Sequence, residues 1–328
     1  MATTRDAAPT ATFFDPLAHV PDGAALRAAR DAGDPAAALA VVRGLTVPDD
    51  IAAALWEIAD TTAGVTDEAQ RLTAAIEAAD DGTPLARTLR AVRYVTVGWA
   101  IRSHARAEHV SASQFEQFHD WLRRAERVLF DVCSEHPGYL PAWEPRITTA
   151  RGLQLGHGEA RRRYDRLAAL DPQFFAAQRV YHQQILPKWS GSWEEASRFV
   201  EECAADAAPG ALGPALVVDH AIERWLDGEK KVPSAMVDRV REAAAATVLH
   251  PDHSRTAATA TAHANFALFF TIAKVPAEAW PHFEALGNSP VEGMWGYYDV
   301  RAEVPYKVQR DNAAKAAAKV SARSGVPA

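Results

Sequence analysis

The sequence predicts an all-α protein, built as a right-handed α-solenoid of antiparallel helix pairs. Three observations lead to this prediction. Alanine, the residue with the highest helix propensity, dominates the composition. Apolar residues recur at spacings of three and four between helix-capping residues. No sustained alternation of β-branched residues, bounded by turn residues, indicates a strand.

The bulk composition excludes several classes of protein. The 328 residues are enough to bury a core, with 48% hydrophobic and 23% charged residues. The net charge of −7 argues against wholesale nucleic-acid binding, which requires a basic surface. No apolar run is long enough to span a bilayer or to act as a secretory signal, so we expect no membrane partner and a cytoplasmic location.

The chain divides into three predicted parts. Residues 1–21 are predicted to be a flexible N-terminal tail, which Phe13, Phe14 and Leu17 could anchor to the helical domain by packing against it. Residues 22–322 form one helical-repeat domain, and residues 323–328 a flexible C-terminus.

Capping residues predict where the first helices begin. The segment 23–44 makes two short helices, broken at 33–35 by Gly-Asp-Pro. Asp49 and Asp50 open a helix to Ala59, and Thr66 opens one to Asp80. Thr83 followed by Pro84 is a cap and a first-turn proline, and it predicts a helix to about Ala107.

The strongest helical pattern covers residues 113–136. Ser113 and Glu116 are spaced as a capping box, and Pro137-Gly138 ends the helix. Between them lies one apolar stripe: Phe115, Phe118, Leu122, Ala125, Leu129 and Val132. Further helices are predicted over 141–154, 158–170, 173–186, 213–227, 234–249, 255–274, 277–286 and 303–322.

A repeat is indicated over 137–209. The segment 157–172 places a small residue, Ala160, four residues before Tyr164, and ends on Asp171-Pro172. It looks like the second helix of a tetratricopeptide repeat, whose period is about 34 residues. The prolines at 137, 172 and 209 are spaced at a similar interval, so a divergent solenoid is favoured.

A second resemblance covers about half of the chain. It is carried by Gly23–Asp34, by 186–204 (LPKWSGSWEEASRFVEECA) with 208–210, and by 265–270 (NFALFF). These segments resemble a bacterial family of tetratricopeptide-like helical proteins of unknown function. In that family a Pro-Lys-Trp-Gly-Gly-Ser turn leads into an acidic helix, and Ser190 replaces the first of those glycines here. The resemblance implies the fold and no activity.

The turn before the acidic helix is predicted to be structural. Trp189 and Trp193 flank Gly191 and are expected to fold against one helix junction, with Gly191 supplying the tight bend. Ser192 is expected to cap the following helix.

Two groups of residues are candidate binding surfaces. One is a stretch that contains two glycines, is predicted to be non-helical and holds Met294, Trp295, Tyr297 and Tyr298. It is either a recognition hot spot or a hydrophobic plug. Arg161, Arg162 and Arg163 form a basic run, which is either a solvated face or a groove for an acidic peptide.

Histidines suggest an alternative, a small-ligand or catalytic pocket. It would be lined by His220, Glu223, Trp225, His250 and His253, but each imidazole is equally explained as a core-edge or loop residue. Only His119 has a glutamate three residues before it, so a di-iron helix bundle is not indicated. We therefore expect no metal and no cofactor, and we expect Cys133 and Cys203 to be buried thiols.

The function class is less constrained than the fold. Stacked helix pairs present concave surfaces that mostly bind proteins or peptides, so the leading hypothesis is a non-catalytic interaction scaffold. No nucleophile or phosphate-binding motif is present, and oligomeric state cannot be predicted.

Overall fold

The computed structural model describes residues 13–60, 66–102, 110–299 and 301–324. Within these ranges all regular structure is helical and no strand occurs, so the all-α prediction is confirmed for them. The α-helices are α1 (Gly23–Asp31), α2 (Pro35–Val42), α3 (Pro48–Ala59), α4 (Asp67–Ala78), α5 (Pro84–Arg102), α6 (Ala112–Glu135), α7 (Leu140–Gly152), α8 (His157–Ala168), α9 (Phe175–Gln184), α10 (Trp193–Ala205), α11 (Leu216–Leu226), α12 (Ser234–Ala246), α13 (Ala257–Ile272), α14 (Pro276–Leu286), α15 (Trp295–Tyr298) and α16 (Glu303–Ser324).

The predicted starts of the early helices agree with the observed caps. The Asp34 carboxylate accepts a hydrogen bond from the Ala37 amide at 3.0 Å, and Thr66 accepts one from Ala69 at 3.2 Å. Helix α5 begins at Pro84 as predicted, and the predicted extension of this helix to 107 lies outside the described residues.

The capping box of α6 lies two residues earlier than predicted. Ser111 and Gln114 form it, with the Gln114 amide 3.2 Å from the Ser111 hydroxyl. The prediction of Ser113 and Glu116 is wrong because Gln serves as well as Glu at this position, and the first turn therefore starts at Ala112. The predicted apolar stripe is buried, apart from Phe115, which is half-buried.

Six helices contact one another in a closed circuit, which we call the inner ring. Contacts run from α3 to α5, α7, α9, α11 and α13 in turn, and α13 contacts α3. Each of α6, α8, α10 and α12 contacts the two ring members on either side of it. Helices α7 and α13 are buried on nearly every face, whereas α6 exposes its polar face, so the even-numbered helices lie outside the ring.

Helix α3 closes this ring through two adjacent carboxylates. Asp49 accepts a hydrogen bond from the Ala176 amide at 2.8 Å, at the start of α9. Asp50 accepts one from the Ala257 amide at 2.6 Å, at the start of α13. Two helices distant in sequence are thus capped by neighbouring residues of a third, which fixes the N-terminal segment against the end of the chain.

Residues 13–21 belong to the packed body, although the sequence assigned them to a flexible tail. Leu17 is fully buried in a 3₁₀ turn, and Phe13 and Phe14 each lie 5.6 Å from the ring of Tyr306 in α16. The Asp15 amide donates to the Pro290 carbonyl at 2.9 Å. The expected packing of Phe13, Phe14 and Leu17 against the helical domain is therefore present.

The stretch around Trp295 is helical, contrary to the prediction. Residues 295–298 form one turn, α15, after Gly293 at φ +52°. A Cβ at Gly293 would lie 2.5 Å from the Asn265 side-chain oxygen, so this glycine permits a close approach to α13.

Two further observations concern the described residues only. None of their helices is both long and apolar enough to cross a bilayer. Both cysteines are buried and free, as expected, and burial raises the pKa of Cys133 to about 11.

Candidate functional site

A band of aromatic and cationic side chains follows the end of the inner ring where α5, α7 and α11 finish. We call it the cation–aromatic stripe. Its members come from α5, α7, α11, α15 and the segments after α9 and α11: Trp99, Arg102, Arg151, Lys188, Trp189, Trp225, Lys230, Tyr297 and Tyr298. All of them are half-buried or exposed.

One end of the stripe is a tryptophan pair with arginines on it. The rings of Trp99 and Trp189 meet edge to face with centroids 5.7 Å apart. The Arg151 guanidinium carbon lies 5.5 Å from the Trp99 ring and 5.3 Å from the Trp189 ring. Arg102 lies 5.8 Å from both rings. These are cation–π distances, so the rings hold the guanidinium groups in place.

The centre of the stripe is held by Glu223. Its carboxylate accepts hydrogen bonds from Lys188 at 2.8 Å and from the Gln183 amide at 2.5 Å. Lys188 also lies 5.9 Å from the ring of Tyr297, which is 65% exposed. The ion pair therefore orients Lys188 beneath an accessible aromatic ring.

The other end is an aromatic stack. Trp225 and Tyr298 lie nearly parallel with centroids 5.9 Å apart, and Lys230 lies 3.7 Å from the Trp225 ring. The stack ties the end of α11 to α15.

A buried polar network beneath the stripe holds α15 in position. Asp219 accepts hydrogen bonds from Arg179 and from the Asn265 amide, both at 2.6 Å. The Asn265 oxygen in turn accepts from the Met294 amide at 2.9 Å. Helices α9, α11 and α13 thus fix the turn that presents Tyr297.

Two groups of the stripe have shifted pKa values. Burial lowers the pKa of Arg151 to about 10, although Tyr297, Glu144 and Glu223 act in the opposite direction. The pKa of Tyr297 is raised, first by desolvation and then by Glu223, even though its ring is exposed by area. The two findings agree if Tyr297 stands within a concave surface, where surrounding walls exclude water from a side chain that nothing covers.

The four residues of the predicted hot spot differ in how deeply they are buried. Trp295 is fully buried and donates to the Ala264 carbonyl at 3.0 Å, and Met294 is 4% exposed. Tyr298 is half-buried, and Tyr297 is the exposed member. The first pair fills the core as a plug would, and the second pair lies on the stripe.

The basic run on α8 is neutralised by carboxylates. Arg163 is 4% exposed and pairs with Glu126 and Glu159 at 2.9 and 2.7 Å. Arg161 pairs with Glu202, and Arg162 with Glu159. A solvated face thus describes Arg162 but is wrong for Arg163, because α-helical periodicity turns that residue toward α6.

The histidines of the alternative pocket have separate partners. His220 lies 3.2 Å from both His182 and the Ser197 hydroxyl. His253 lies between the Gly210 carbonyl and Thr259, whereas His250 accepts from the Asp252 amide. No hydrogen bond or ring contact among the described residues links His220, His250 and His253 into one pocket.

The contacts run from Ser197 through His220 to His182. This order matches the nucleophile, the base and the orienting residue of a hydrolase triad. Burial lowers the pKa of His220 to about 4 and that of His182 well below its usual value. Arg179, Lys188 and His220 lower the pKa of His182 further. An imidazolium is therefore disfavoured where a hydrolase mechanism needs one, and these residues make a buried hydrogen-bonded line.

The turn from Pro187 to Glu195 differs in part from its prediction. The two tryptophans do not share one helix junction, since Trp189 packs on Trp99 whereas Trp193 lies 5.4 Å from the ring of His220. Ser190, not Gly191, has the positive φ, at +70°. A Cβ on Gly191 would lie 1.9 Å from the Ile185 carbonyl oxygen, so Gly191 is needed for close packing. Ser192 caps α10 as predicted, accepting from the Glu195 amide at 3.1 Å.

Within the described ranges, no group of three or more His, Cys, Asp or Glu residues could hold a metal ion. The sequence reasoning did not single out Trp99, Arg102, Arg151, Lys188 or Lys230. The available signal was their spacing, because Trp99 and Arg102 lie in the last turn of α5 and Arg151 lies in the last turn of α7. That signal acquires meaning only when those helices are known to be neighbours.

Comparison of the chain with protein-family models, with curated protein sequences and with solved structures finds no match.

Proposed function

We propose that this chain is a non-catalytic interaction scaffold that binds a segment of another protein along the cation–aromatic stripe. The observation that carries the proposal is the stripe itself, in which five aromatic rings and four cations form three contacting groups while remaining partly open to solvent. Tryptophan, tyrosine and arginine are the residues that dominate the binding energy of protein interfaces.

The neighbouring helix contacts support the finer architecture that we infer. Serial contacts between the alternate helices α3 to α13, with α6, α8, α10 and α12 each contacting both neighbours, are expected of antiparallel pairs wound as a right-handed, tetratricopeptide-like superhelix. Such a winding would place the stripe on a concave face. A bacterial family membership, a cytoplasmic location and the absence of nucleic-acid and membrane partners remain predictions of the sequence.

Photo-crosslinking tests the proposal at one residue. The full chain carries a benzophenone amino acid in place of Tyr297, and the matched control carries it in place of Phe130, an aromatic of α6 that is 57% exposed. We expect cells expressing the first protein to yield a discrete protein adduct, which the substitution Trp189→Ala removes. The second protein should not form that adduct.

Equal adducts at both positions would show that Tyr297 has no special role and would overturn the proposal. So would a first protein that crosslinks only to small molecules. Thermal melting of each protein checks that the substitutions leave the fold intact.

A further inference from the structure

We infer that Arg151 is an anion-binding residue of the stripe, and that it takes a carboxylate from the segment bound there. This inference rests on the proposed function and adds the chemistry of the partner: an acidic residue flanked by apolar or aromatic residues.

The Arg151 guanidinium lacks a polar partner. Its Nε is buried and makes no hydrogen bond, and no ion pair to this side chain occurs in the part of the chain that the structure describes. A buried donor without an acceptor is unfavourable, and more so when it is charged, so an acceptor arriving here would remove that cost.

The nearest carboxylates are occupied elsewhere. Glu223 binds Lys188 and Gln183, and Glu144 accepts a hydrogen bond from the Trp56 indole at 2.9 Å. Both attract Arg151 at longer range, but neither forms a hydrogen bond or an ion pair with it within the described residues. Among the described residues the positive charge of Arg151 has no carboxylate partner, so a carboxylate of the bound segment can pair with it.

The surroundings of Arg151 prepare it for a planar anion. Two tryptophan rings flank the guanidinium at 5.5 and 5.3 Å and restrict its orientation before a ligand binds. A planar, preoriented guanidinium can bind a carboxylate through two parallel hydrogen bonds. The exposed ring of Tyr297 and the half-buried ring of Trp189 can then contact the apolar neighbours of that carboxylate.

The test uses short random peptides displayed on yeast and selected on the immobilised full chain. A selected peptide is then synthesised in two forms, one with its acidic residue and one with the matching amide. Each form is titrated against the wild type, Arg151→Gln and Arg162→Gln. Arg162 is the matched control, an arginine of α8 with a 64% exposed side chain, paired to Glu159.

We expect the change from acid to amide to weaken binding to the wild type and to Arg162→Gln roughly tenfold to a hundredfold. The same change should leave binding to Arg151→Gln unaltered. The comparison on the wild type needs no substitution in the protein, so it remains decisive if Arg151→Gln folds poorly.

The opposing outcomes separate the two proposals. Selected peptides that lose binding on Tyr297→Ala but carry no preferred acid would overturn the role of Arg151 and leave the scaffold standing. A library that yields no binder would overturn both.

Discussion

Two regions of the molecule bury ionisable groups of opposite kind. On α3 and α7, burial is the main cause that raises the pKa values of Asp49 and Glu144 to about 7. On α13 and α14, burial lowers the pKa of His263 to about 3 and that of His282 well below its usual value. No salt bridge to these groups occurs among the described residues, and desolvation is the largest cause of the pKa shift in each region.

Because of this difference, pH changes the stability of the two regions in opposite directions. A carboxyl whose pKa is raised in the folded state is destabilising when ionised, so that region gains stability as pH falls from above about 7 toward 4. A histidine whose pKa is lowered contributes stability above about pH 6.5, and that stability is lost as pH falls toward the folded pKa. The two trends oppose each other between about pH 7 and 5.

The largest effect is expected from Asp49→Asn. The amide oxygen keeps the cap on α9 but cannot ionise, so the variant should be more stable than the wild type at about pH 8, by an amount on the order of 3 kcal/mol. As pH falls the difference should shrink, to less than half by about pH 5, and it should vanish only below about pH 4, where the unfolded carboxyl is protonated as well. Urea unfolding at both pH values measures it, and a variant that is less stable at both would show that the ionised carboxylate is favourable here.

The histidine region is tested by His282→Phe. This ring stacks on Phe266 with centroids 4.7 Å apart, and its Nδ1 lies 3.0 Å from that of His263. The variant loses one group that gains a proton on unfolding, so its fall in stability between about pH 8 and 5 should be smaller than that of the wild type by roughly 2 kcal/mol. The slope of unfolding free energy against pH, not its absolute value, is the measurement. An unchanged slope would mean that His282 is already protonated in the folded protein.

A cap without charge provides the reference for both regions. Ser192→Ala removes the acceptor for the Glu195 amide and should cost about 1 kcal/mol. Because a hydroxyl does not titrate in this range, the loss should be the same at about pH 8 and pH 5. A loss that grows with either acid or base would indicate that the pH trends come from the molecule as a whole and not from the named groups.

The smallest effect is expected from Ser190→Gly. Ser190 is exposed and has φ +70°, a conformation that glycine adopts without steric cost. The variant should gain less than about 1 kcal/mol, since the freer unfolded chain offsets part of the relief. Gly191→Ala is the matched contrast one residue away and should destabilise, because its Cβ would overlap the Ile185 carbonyl. Thermal melts of the two variants decide whether the turn follows this geometry.

Local signals in the sequence predicted the helices well but not their partners. Proline and capping residues such as Asp34, Thr66 and Ser192 act on amides three residues away, so they are visible in the sequence. Asp49 and Asp50 were predicted only to open their own helix. Their bonds to Ala176 and Ala257 cross most of the chain, and no local pattern encodes a contact of that kind.

The candidate site was predicted in part for the same reason. The cluster of aromatics at 294–298 was visible, but its division into the buried Trp295 and the exposed Tyr297 depends on which helices lie beneath it. Arg151 carries no motif, and its importance comes from two tryptophans placed beside it by other helices.

The closure of the inner ring by α3 has a consequence for biosynthesis. Residues 48–59 leave the ribosome long before Ala257, yet Asp50 finds its amide partner only when α13 has been made. Until then the first third of the protein can form local helices, but the Asp50 carboxylate lacks its amide partner and one face of α3 stays uncovered. Contacts between such distant residues slow folding, so we expect closure of the inner ring to be a late step of folding.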